Sequence, residues 1–346
     1  MSPKARLALL LLAAACLASG VAGGLARLGF AIPVPAAAAF HGAIMTSGFL
    51  GTVISLERAV ALGGRWAYAA PLLAGLGTLL PLAGFHAVGA AMWLLAPLAL
   101  FASSVAIARR QPEAHTILLA VAAIAWAVGN AVYVTSFTAA APAWWFAFLV
   151  LTIAAERLEM TRLTRRPAVA APLFLGIVVL LFAGAGASLA EGRVGPIAYG
   201  AALLALAGWL ARFDIARHTV KAEGFARYAA VALMTGYAWL AVAGIAWAAG
   251  APRDLSLHAL GLGFVFSMIL AHAPLIVPVV LKRRVRYTPA FYVPLAFLTV
   301  SLLVRFAPME ASLRAVGGML NAVALGTFVV TLLWALSAGN RDSRQD

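Results

Sequence analysis

Apolar runs of about 20 residues recur along the whole chain, and a helix of about 20 residues crosses the ~30 Å hydrocarbon core of a bilayer. The runs are continuously apolar rather than alternating, which favours membrane-spanning helices over the strands of a barrel. With 64% hydrophobic and only 10% charged residues, the composition excludes an ordinary soluble domain. The sequence therefore predicts an all-α fold whose surroundings are a lipid bilayer.

The runs predict a polytopic bundle of about twelve transmembrane helices in a single transmembrane domain over residues 1–346. The predicted ranges are 7–26, 36–56, 66–85, 87–108, 115–136, 142–158, 168–190, 195–214, 227–250, 256–281, 288–304 and 313–337. The loops between them are too short for an extramembrane domain. We therefore expect the function to lie within the bilayer or at its surfaces.

Basic residues are concentrated in every second loop, which predicts the orientation of the helices. The basic loops contain Lys4 and Arg6, Arg58 and Arg65, Arg109 and Arg110, Arg157 to Arg166, Arg212 to Arg227, Lys282 to Arg286, and Arg341 and Arg344. Because cytoplasmic loops carry the excess of lysine and arginine, both termini are predicted to be cytoplasmic, in a multi-pass protein of a cell membrane such as the bacterial inner membrane. Topology thus explains the net charge of +14. The basic residues are spread over many loops, which argues against a nucleic-acid partner.

Two segments about one hundred residues apart share a pattern. Residues 48–62 read GFLGTVISLERAVAL and residues 146–160 read FAFLVLTIAAERLEM, so that each ends near a Glu-Arg pair. A repeat at a spacing of four helices favours three four-helix units. The glutamates of these pairs, and the nearby Glu159, are interpreted as partners of interfacial arginines.

Metal or cofactor ligands in this chain must be histidine or methionine, because Cys16 is the only cysteine and thiolate or iron–sulfur sites need several. His41 and His258 lie in the second and tenth apolar runs, which both enter the bilayer from the predicted outer side. Their imidazoles are therefore expected at similar depth. An ionisable side chain in hydrocarbon is costly and marks a functional site. We predict that the two imidazoles bind one b-type haem from opposite sides.

Glycines on the histidine-bearing helices are candidates for contact with that haem. Gly48 lies two turns after His41 on the same face, and Gly261 lies about one turn after His258. A glycine would let a flat macrocycle approach the backbone. Glycine in a membrane bundle also permits close helix packing, and for the glycines alone packing is the favoured interpretation.

His272 and two methionines extend the set of candidate metal ligands. His272 follows His258 by fourteen residues, about 21 Å along a helix, so the two cannot bind one metal, but His272 could belong to a second site. Met45 and Met268 each lie four residues from a histidine, on the same helical face. A thioether with an imidazole suits Cu(I), whereas core packing is the commoner role of methionine and the favoured one here. The other histidines are interpreted as ordinary solvated residues: His86, His115 and His218.

The two histidine-bearing segments resemble those of a known family. The stretch LHALGLGFVFSMILAH at residues 257–272 resembles a histidine-bearing helix in the C-terminal part of NnrS-type membrane proteins, and HGAIMTSGF at residues 41–49 resembles their early histidine helix. NnrS proteins are haem- and copper-containing relatives of the haem–copper oxidases, with about twelve helices, and are associated with nitric-oxide metabolism. The resemblance implies a low-spin haem held by His41 and His258. It also implies a role in electron transfer, in a redox or nitric-oxide response, or in haem handling, beside a membrane redox partner.

The chain also departs from the oxidase pattern. Oxidases carry copper-binding histidines on helices six and seven, and a second histidine beside the haem ligand on helix ten. Here the sixth and seventh predicted helices contain no histidine, and Ala259 and Leu260 follow His258. No complete haem–copper centre is visible, so we infer neither oxygen reduction nor any other enzymatic activity.

A cofactor-free transporter is the competing hypothesis, in which the histidines bind protons, metal ions or solute. Asn130 and Asn321 within apolar runs support it. So do prolines available to interrupt helices, namely Pro71, Pro81, Pro97, Pro274 and Pro278. The absence of a carboxylate near the predicted membrane midplane weakens it. A third hypothesis is an accessory protein that assembles or stabilises a membrane complex.

Overall fold

A computed structural model of the protein describes residues 1–32, 34–135, 139–161, 167–307 and 311–342. Within these residues the chain forms helices and no strand, and eleven helices are long and apolar enough to cross a membrane. Together with one shorter helix they are numbered α1 Pro3–Arg27, α2 Ala36–Leu62, α3 Ala69–Leu82, α4 His86–Arg110, α5 Ala114–Val134, α6 Ala141–Met160, α7 Ala170–Ala187, α8 Val194–Phe213, α9 Gly224–Ala249, α10 Arg253–Leu281, α11 Pro289–Phe306 and α12 Ser312–Gly339. The prediction of an all-α chain with many membrane-length helices is confirmed.

The third helix, predicted over residues 66–85, is shorter in the structure. α3 has 14 residues and follows a 3₁₀ turn at Arg65–Tyr68. Fourteen residues of α-helix rise about 21 Å and four residues of 3₁₀-helix add about 8 Å, so only the two together approach the thickness of the hydrocarbon core. Five positions used in the predictions, Ser136, Arg162, Arg165, Arg166 and Arg344, lie outside the described residues.

The described helices divide into two compact units, which we call unit 1 (Met1–Ala155) and unit 2 (Glu156–Asp346). The boundary lies inside α6. Unit 1 therefore contains α1 to α5 and most of α6, and unit 2 contains the end of α6 and α7 to α12. This division does not follow the four-helix period of the sequence repeat, because compact units form where helix faces pack rather than where local sequence recurs.

α2 and α10, which carry His41 and His258, are not regular α-helices throughout. α2 contains a π-helix at Ile44–Leu50 and α10 contains one at Ala259–Phe266. Each π-helix begins within three residues after the histidine. Such segments are rare in proteins and occur frequently at functional sites. The same backbone irregularity therefore accompanies a candidate histidine once in each unit.

Unit 1 contains a buried polar network centred on Asn130. Pro97 has no N–H to donate to the carbonyl of Trp93, and the Asn130 amide nitrogen donates to that oxygen instead, at 2.7 Å. The Asn130 amide oxygen accepts from the Ser47 hydroxyl at 2.6 Å and from the Trp145 indole at 2.8 Å. The network therefore completes the hydrogen bonding of a proline-containing helix, as a lipid environment requires.

In unit 2, a side chain likewise replaces a backbone hydrogen bond that a proline removes. Pro274 leaves the carbonyl of Leu270 without its donor four residues later, and the Tyr228 hydroxyl on α9 donates to that oxygen at 3.0 Å. Three of the five prolines singled out, Pro97, Pro274 and Pro278, lie inside helices that continue past them. Pro81 is next to the last residue of α3, and Pro71 lies near its start. The transporter hypothesis took these prolines as available to break helices, and Pro97, Pro274 and Pro278 do not break theirs.

Candidate functional site: two Asp–Arg–His clusters

The first cluster of charged side chains in unit 2 surrounds His258. Arg305, near the end of α11, forms a two-point ion pair with Asp254, with Nε 2.9 Å from Oδ2 and Nη2 2.7 Å from Oδ1. The same Nη2 lies 3.3 Å from Nε2 of His258. Nη1 of Arg305 donates to the amide oxygen of Asn321 on α12 at 3.2 Å. We call Asp254, His258, Arg305 and Asn321 the His258 cluster.

The second cluster surrounds His272, further along α10. Arg157 of α6 pairs with Asp214, which follows α8, with Nε 2.8 Å from Oδ2 and Nη2 3.3 Å from Oδ1. Nη1 of Arg157 lies 3.2 Å from Nε2 of His272. Oδ1 of Asp214 also accepts from the backbone N–H of Ala216 at 2.7 Å. The Arg157 and Asp214 side chains are only 6% and 1% exposed. We call Arg157, Asp214 and His272 the His272 cluster.

The imidazoles of the two clusters are oriented alike. Nδ1 of His258 lies 2.8 Å from the carbonyl oxygen of Asp254, and Nδ1 of His272 lies 2.6 Å from that of Met268, in each case four residues earlier. A carbonyl only accepts and a guanidinium only donates, so in both rings Nδ1 carries the proton and Nε2 accepts from the arginine. Both histidines are therefore neutral in this arrangement, and the Asp–Arg charges cancel.

In this geometry, proton binding by the imidazole would break its hydrogen bond with the arginine. A proton on Nε2 would replace the lone pair that accepts from the arginine by a positively charged N–H. A protonated imidazole and a guanidinium about 3 Å apart repel each other. At His272 this repulsion would act on Arg157 of α6. At His258 it would act on Arg305 of α11, but Asp254 opposes it, because its Oδ1 lies 3.3 Å from Nδ1 of His258 and the two side chains are 21% and 27% exposed.

His41 lies in unit 1 and has a different environment. Its Nδ1 lies 2.7 Å from the carbonyl oxygen of Gly20 on α1, so Nδ1 carries the proton and Nε2 carries the lone pair. The ring packs against Gly24, where a Cβ would lie 2.9 Å from the imidazole Cε1. Metal-bound histidines commonly donate their second ring N–H to a backbone carbonyl in this way.

The donor set of a bis-histidine haem can be compared with both residues. Nδ1 of His41 is bound to a backbone carbonyl, as is common for a histidine that binds a metal through Nε2. Nε2 of His258 lies within hydrogen-bond distance of Arg305. An axial bond from His258 would therefore require Arg305 to move away from the ring.

Gly48, Met45 and Met268, three of the residues predicted near a cofactor, make packing contacts in the structure. A Cβ at Gly48 would lie 2.5 Å from the Thr78 hydroxyl oxygen, so this glycine permits the close approach of α2 and α3. The Met45 sulfur lies against Gly20, and the Met268 methyl group lies against Gly236. Both methionines thus fill the space above a glycine, as their flexibility favours. Gly261 lies half-buried within the π-helix of α10.

The three histidines interpreted as solvated divide into two groups. His86 and His218 are exposed, and His218 accepts a hydrogen bond from Arg217 at 2.9 Å. The interpretation of His115 was wrong, because this residue is only 6% exposed. The first turn of α5 packs inside unit 1, which the position of His115 at a predicted helix mouth did not reveal.

Four charged residues of the two clusters were not predicted to be site residues. Arg157 was placed in a basic cytoplasmic loop and Arg305 was not singled out, although both are buried. Asp254 carries a local signal, because it lies four residues before His258 and hence on the same helical face. Asp214 carries none, because its ion pair with Arg157 joins residues 57 positions apart.

The described residues contain no group of three or more His, Cys, Asp or Glu side chains that could hold a metal ion. Comparison with curated proteins and with solved structures gives no significant match. A family described as a domain of unknown function, DUF8744, matches residues 6–337. The match includes His41 and both clusters and covers nearly the whole chain, which therefore belongs to the DUF8744 family.

Proposed function

We propose that the protein is a cofactor-free membrane transporter that binds protons at His258 and His272. The observation that carries this proposal is the repeated arrangement on α10, where each neutral imidazole accepts from a buried arginine that is paired with an aspartate. Ionisable groups inside membrane helices are expensive and commonly mark the paths of ions and protons. A single buried ion pair has a simple structural explanation, whereas two copies with a histidine in each favour proton binding.

α10 contains irregular segments between and beside the two clusters, which supports a change in its conformation there. His258 and His272 are fourteen residues apart on α10, a separation that would span about 21 Å of regular α-helix. Between them lies the π-helix at Ala259–Phe266, and Pro274 follows. Irregular helical segments can change their hydrogen bonding locally and occur frequently at functional sites. Release of one arginine at either end would free α10 from a different neighbour.

Proton flux across a reconstituted membrane tests the proposal. The protein would be placed in vesicles that contain a trapped pH-sensitive dye, and the decay of an imposed pH gradient would be followed. We expect the wild-type protein to accelerate the decay and His258→Gln and His272→Gln to lose most of that acceleration. His218→Gln is the matched control, because His218 is exposed and outside both clusters. Equal rates in all four proteins would overturn the proposal.

A b-type haem bound by His41 and His258 is the second candidate function, for electron transfer, a redox or nitric-oxide-related response, or haem handling. Two features favour it. Nδ1 of each histidine donates to a backbone carbonyl, and the sequence around each resembles NnrS-type proteins. Copper bound with Met45 or Met268 is the related metal proposal. In this candidate the chain's own residues orient the two imidazoles, and the bound haem supplies the redox chemistry.

An optical spectrum of the purified protein distinguishes the two candidates. Sharp b-type bands in the reduced-minus-oxidised spectrum, with near-stoichiometric haem, would establish the second. Both His41→Ala and His258→Ala would then abolish the same bands, whereas His272→Ala would change the haem count only if it served a second site. A folded, colourless protein that carries protons would establish the first candidate and exclude the second.

The proposal includes the arrangement of the helices in the membrane. We propose twelve spans, with α3 and its preceding 3₁₀ turn as the shortest, both termini in the cytoplasm, and the bacterial inner membrane as the location. The alternating basic loops support this arrangement. Cysteine labelling from each side tests it in a Cys16→Ser background, since Cys16 is the only native cysteine and is buried. Labelling of loops on the opposite sides would overturn the orientation.

A further inference from the structure

The connection between α10 and α11 carries four positive charges within five residues. Lys282, Arg283, Arg284 and Arg286 follow directly after the last residue of α10, and all four are exposed. We call these four residues the basic connection. None of the seven residues between α10 and α11 is acidic. Four basic residues immediately beside a membrane-length helix form a pattern that attracts anionic lipid headgroups.

The backbone of the basic connection is fixed against a neighbouring helix. Lys282 ends α10 in the left-handed conformation, with a φ of 53°. Further along, the backbone N–H of Arg286 donates to the carbonyl oxygen of Ala335 on α12 at 3.1 Å. A Cβ at Gly339 of α12 would lie 2.7 Å from the carbonyl oxygen of Arg284, so the two backbones are in close contact. α12 therefore covers one side of the basic connection, while its basic side chains remain exposed.

The basic connection also differs from a helix end whose charge is satisfied within the protein. Near the end of α2, Arg58 forms an ion pair with Glu57 at 2.6 Å, and the two side chains are only 14% and 24% exposed. Three side chains of the basic connection form no hydrogen bond or ion pair with any residue that the structure describes: Lys282, Arg283 and Arg284. Their charges are therefore available to an anion from outside the chain.

Aromatic side chains beside the basic connection favour a lipid as the source of that anion. Tyr287 follows it directly and packs edge-on against Phe225 near the start of α9, with ring centroids 6.1 Å apart. Trp334 precedes Ala335, which accepts the backbone hydrogen bond from the connection, and is 50% exposed. Tyrosine and tryptophan are enriched at membrane–water interfaces, where their rings lie at the level of the headgroups.

We propose that the basic connection binds the headgroup of an anionic phospholipid. The guanidinium groups of Arg283 and Arg284 suit a phosphate diester, because their paired N–H donors match its oxygens, and Lys282 adds a compact positive charge. A zwitterionic phospholipid presents the same phosphate together with a cationic group, which the four basic residues would repel. The site is therefore selective for lipids of net negative charge. It would hold such a lipid whether or not the protein carries protons.

Native mass spectrometry tests this proposal, because it resolves the binding of a single lipid. The full-length protein in detergent micelles would be mixed with phosphatidylglycerol or with phosphatidylcholine of the same acyl chains. We expect the wild-type protein to bind the first phosphatidylglycerol about tenfold or more tighter than phosphatidylcholine. The combined substitutions Lys282→Gln, Arg283→Gln and Arg284→Gln should remove this preference. Equal affinity of the wild-type protein for both lipids would overturn the proposal.

A matched control removes the same charges from other helix ends. Lys4→Gln, Arg65→Gln and Arg109→Gln together also replace one lysine and two arginines, all exposed but well separated along the chain. We expect this control to keep the preference for phosphatidylglycerol. Arg283→Lys with Arg284→Lys should keep most of it too, because the charge is retained. An equal loss of preference in the control would show that net charge alone attracts the lipid, and would refute a site.

Two further measurements secure the result. If the threefold variant of the basic connection does not fold, Arg283→Gln and Arg284→Gln are measured separately, and each should lower the affinity for phosphatidylglycerol by about fivefold. Unchanged affinity in both would contradict the proposal. Glycerol phosphate, which carries a phosphate without acyl chains, should displace little phosphatidylglycerol even in large excess. Efficient displacement would identify a site for a soluble anion and overturn the assignment to a lipid.

Discussion

The buried polar residues of units 1 and 2 differ in what they do for the fold. In unit 1, the Asn130 network is uncharged and closes the hydrogen bonding around Pro97. In unit 2, both clusters contain a full ion pair and a histidine whose Nε2 lies within hydrogen-bond distance of the paired arginine. Neutral networks that complete a backbone are explained by stability alone. Charged clusters that depend on protonation need a further explanation, which favours unit 2 as the place of the proposed function.

The largest predicted effect is in unit 2. Asp214→Ala removes the partner of a buried guanidinium and should lower the free energy of unfolding by about 3–5 kcal/mol, because Arg157 would remain charged without compensation. Reversible denaturation in detergent micelles would measure it. Asp254→Ala is the comparison, and its effect should be smaller because Asp254 is 27% exposed. Equal effects would contradict the stronger burial of the His272 cluster.

The second-largest predicted effect tests whether the polar residues of the two units have different roles. Asn130→Ala leaves the Trp93 carbonyl and the Trp145 indole without their partner, so we expect a loss of about 2–3 kcal/mol in the free energy of unfolding. Proton flux per folded molecule should remain at the wild-type level, because the network carries no charge. The vesicle assay described above would check this. A specific loss of flux in folded Asn130→Ala would remove the distinction between a structural unit 1 network and functional unit 2 clusters.

A smaller effect tests whether Gly48 is a packing residue. Gly48→Ala would bring a methyl group into the Thr78 side chain, so we expect destabilisation of about 1–3 kcal/mol from overpacking. Thermal unfolding would measure it. A Cβ added at Gly176 on α7 would meet no atom within 4 Å among the described residues, so Gly176→Ala should be neutral or slightly stabilising through helix propensity. Similar values for both would refute the close contact of α2 and α3.

The smallest effect concerns the backbone role of Asn130. Replacing Pro97 by alanine in the Asn130→Ala background returns an N–H to the helix, so the Trp93 carbonyl regains a donor. We expect this second substitution to recover about 1 kcal/mol. A double-mutant cycle of unfolding free energies would measure the coupling between the two positions. Additive effects would show that Asn130 does not replace the hydrogen bond that proline removes.

Much of the architecture followed from hydropathy. The positions of the membrane-length helices were predicted because each helix must satisfy its own backbone within lipid, so the length and polarity of a segment decide its structure locally. The length of α3 was mispredicted, since hydropathy does not report where a 3₁₀ turn replaces α-helix. The π-helices of α2 and α10 were likewise invisible, because they alter the hydrogen-bond register without altering polarity.

The candidate site was predicted only in part. His258 and His272 were recognised because an imidazole stands out in an apolar run. Of their arginine partners, Arg157 was misread as a residue of a cytoplasmic loop, and Arg305 was not singled out. Positive-inside statistics describe the average basic residue at a helix end, and they do not distinguish a side chain that turns inward to an aspartate from one that reaches the headgroups.

The amino-acid sequence by itself determined that this protein is helical, that its helices are long enough to cross a membrane, and that a few polar residues interrupt its apolar runs. These properties depend on composition and on separations of a few residues along one helix. The tertiary structure decided which polar residues meet. Asp214 reaches Arg157 across 57 positions and Arg305 reaches Asp254 across 51. Such pairs depend on which helix faces pack together, and no local pattern of residues records that choice.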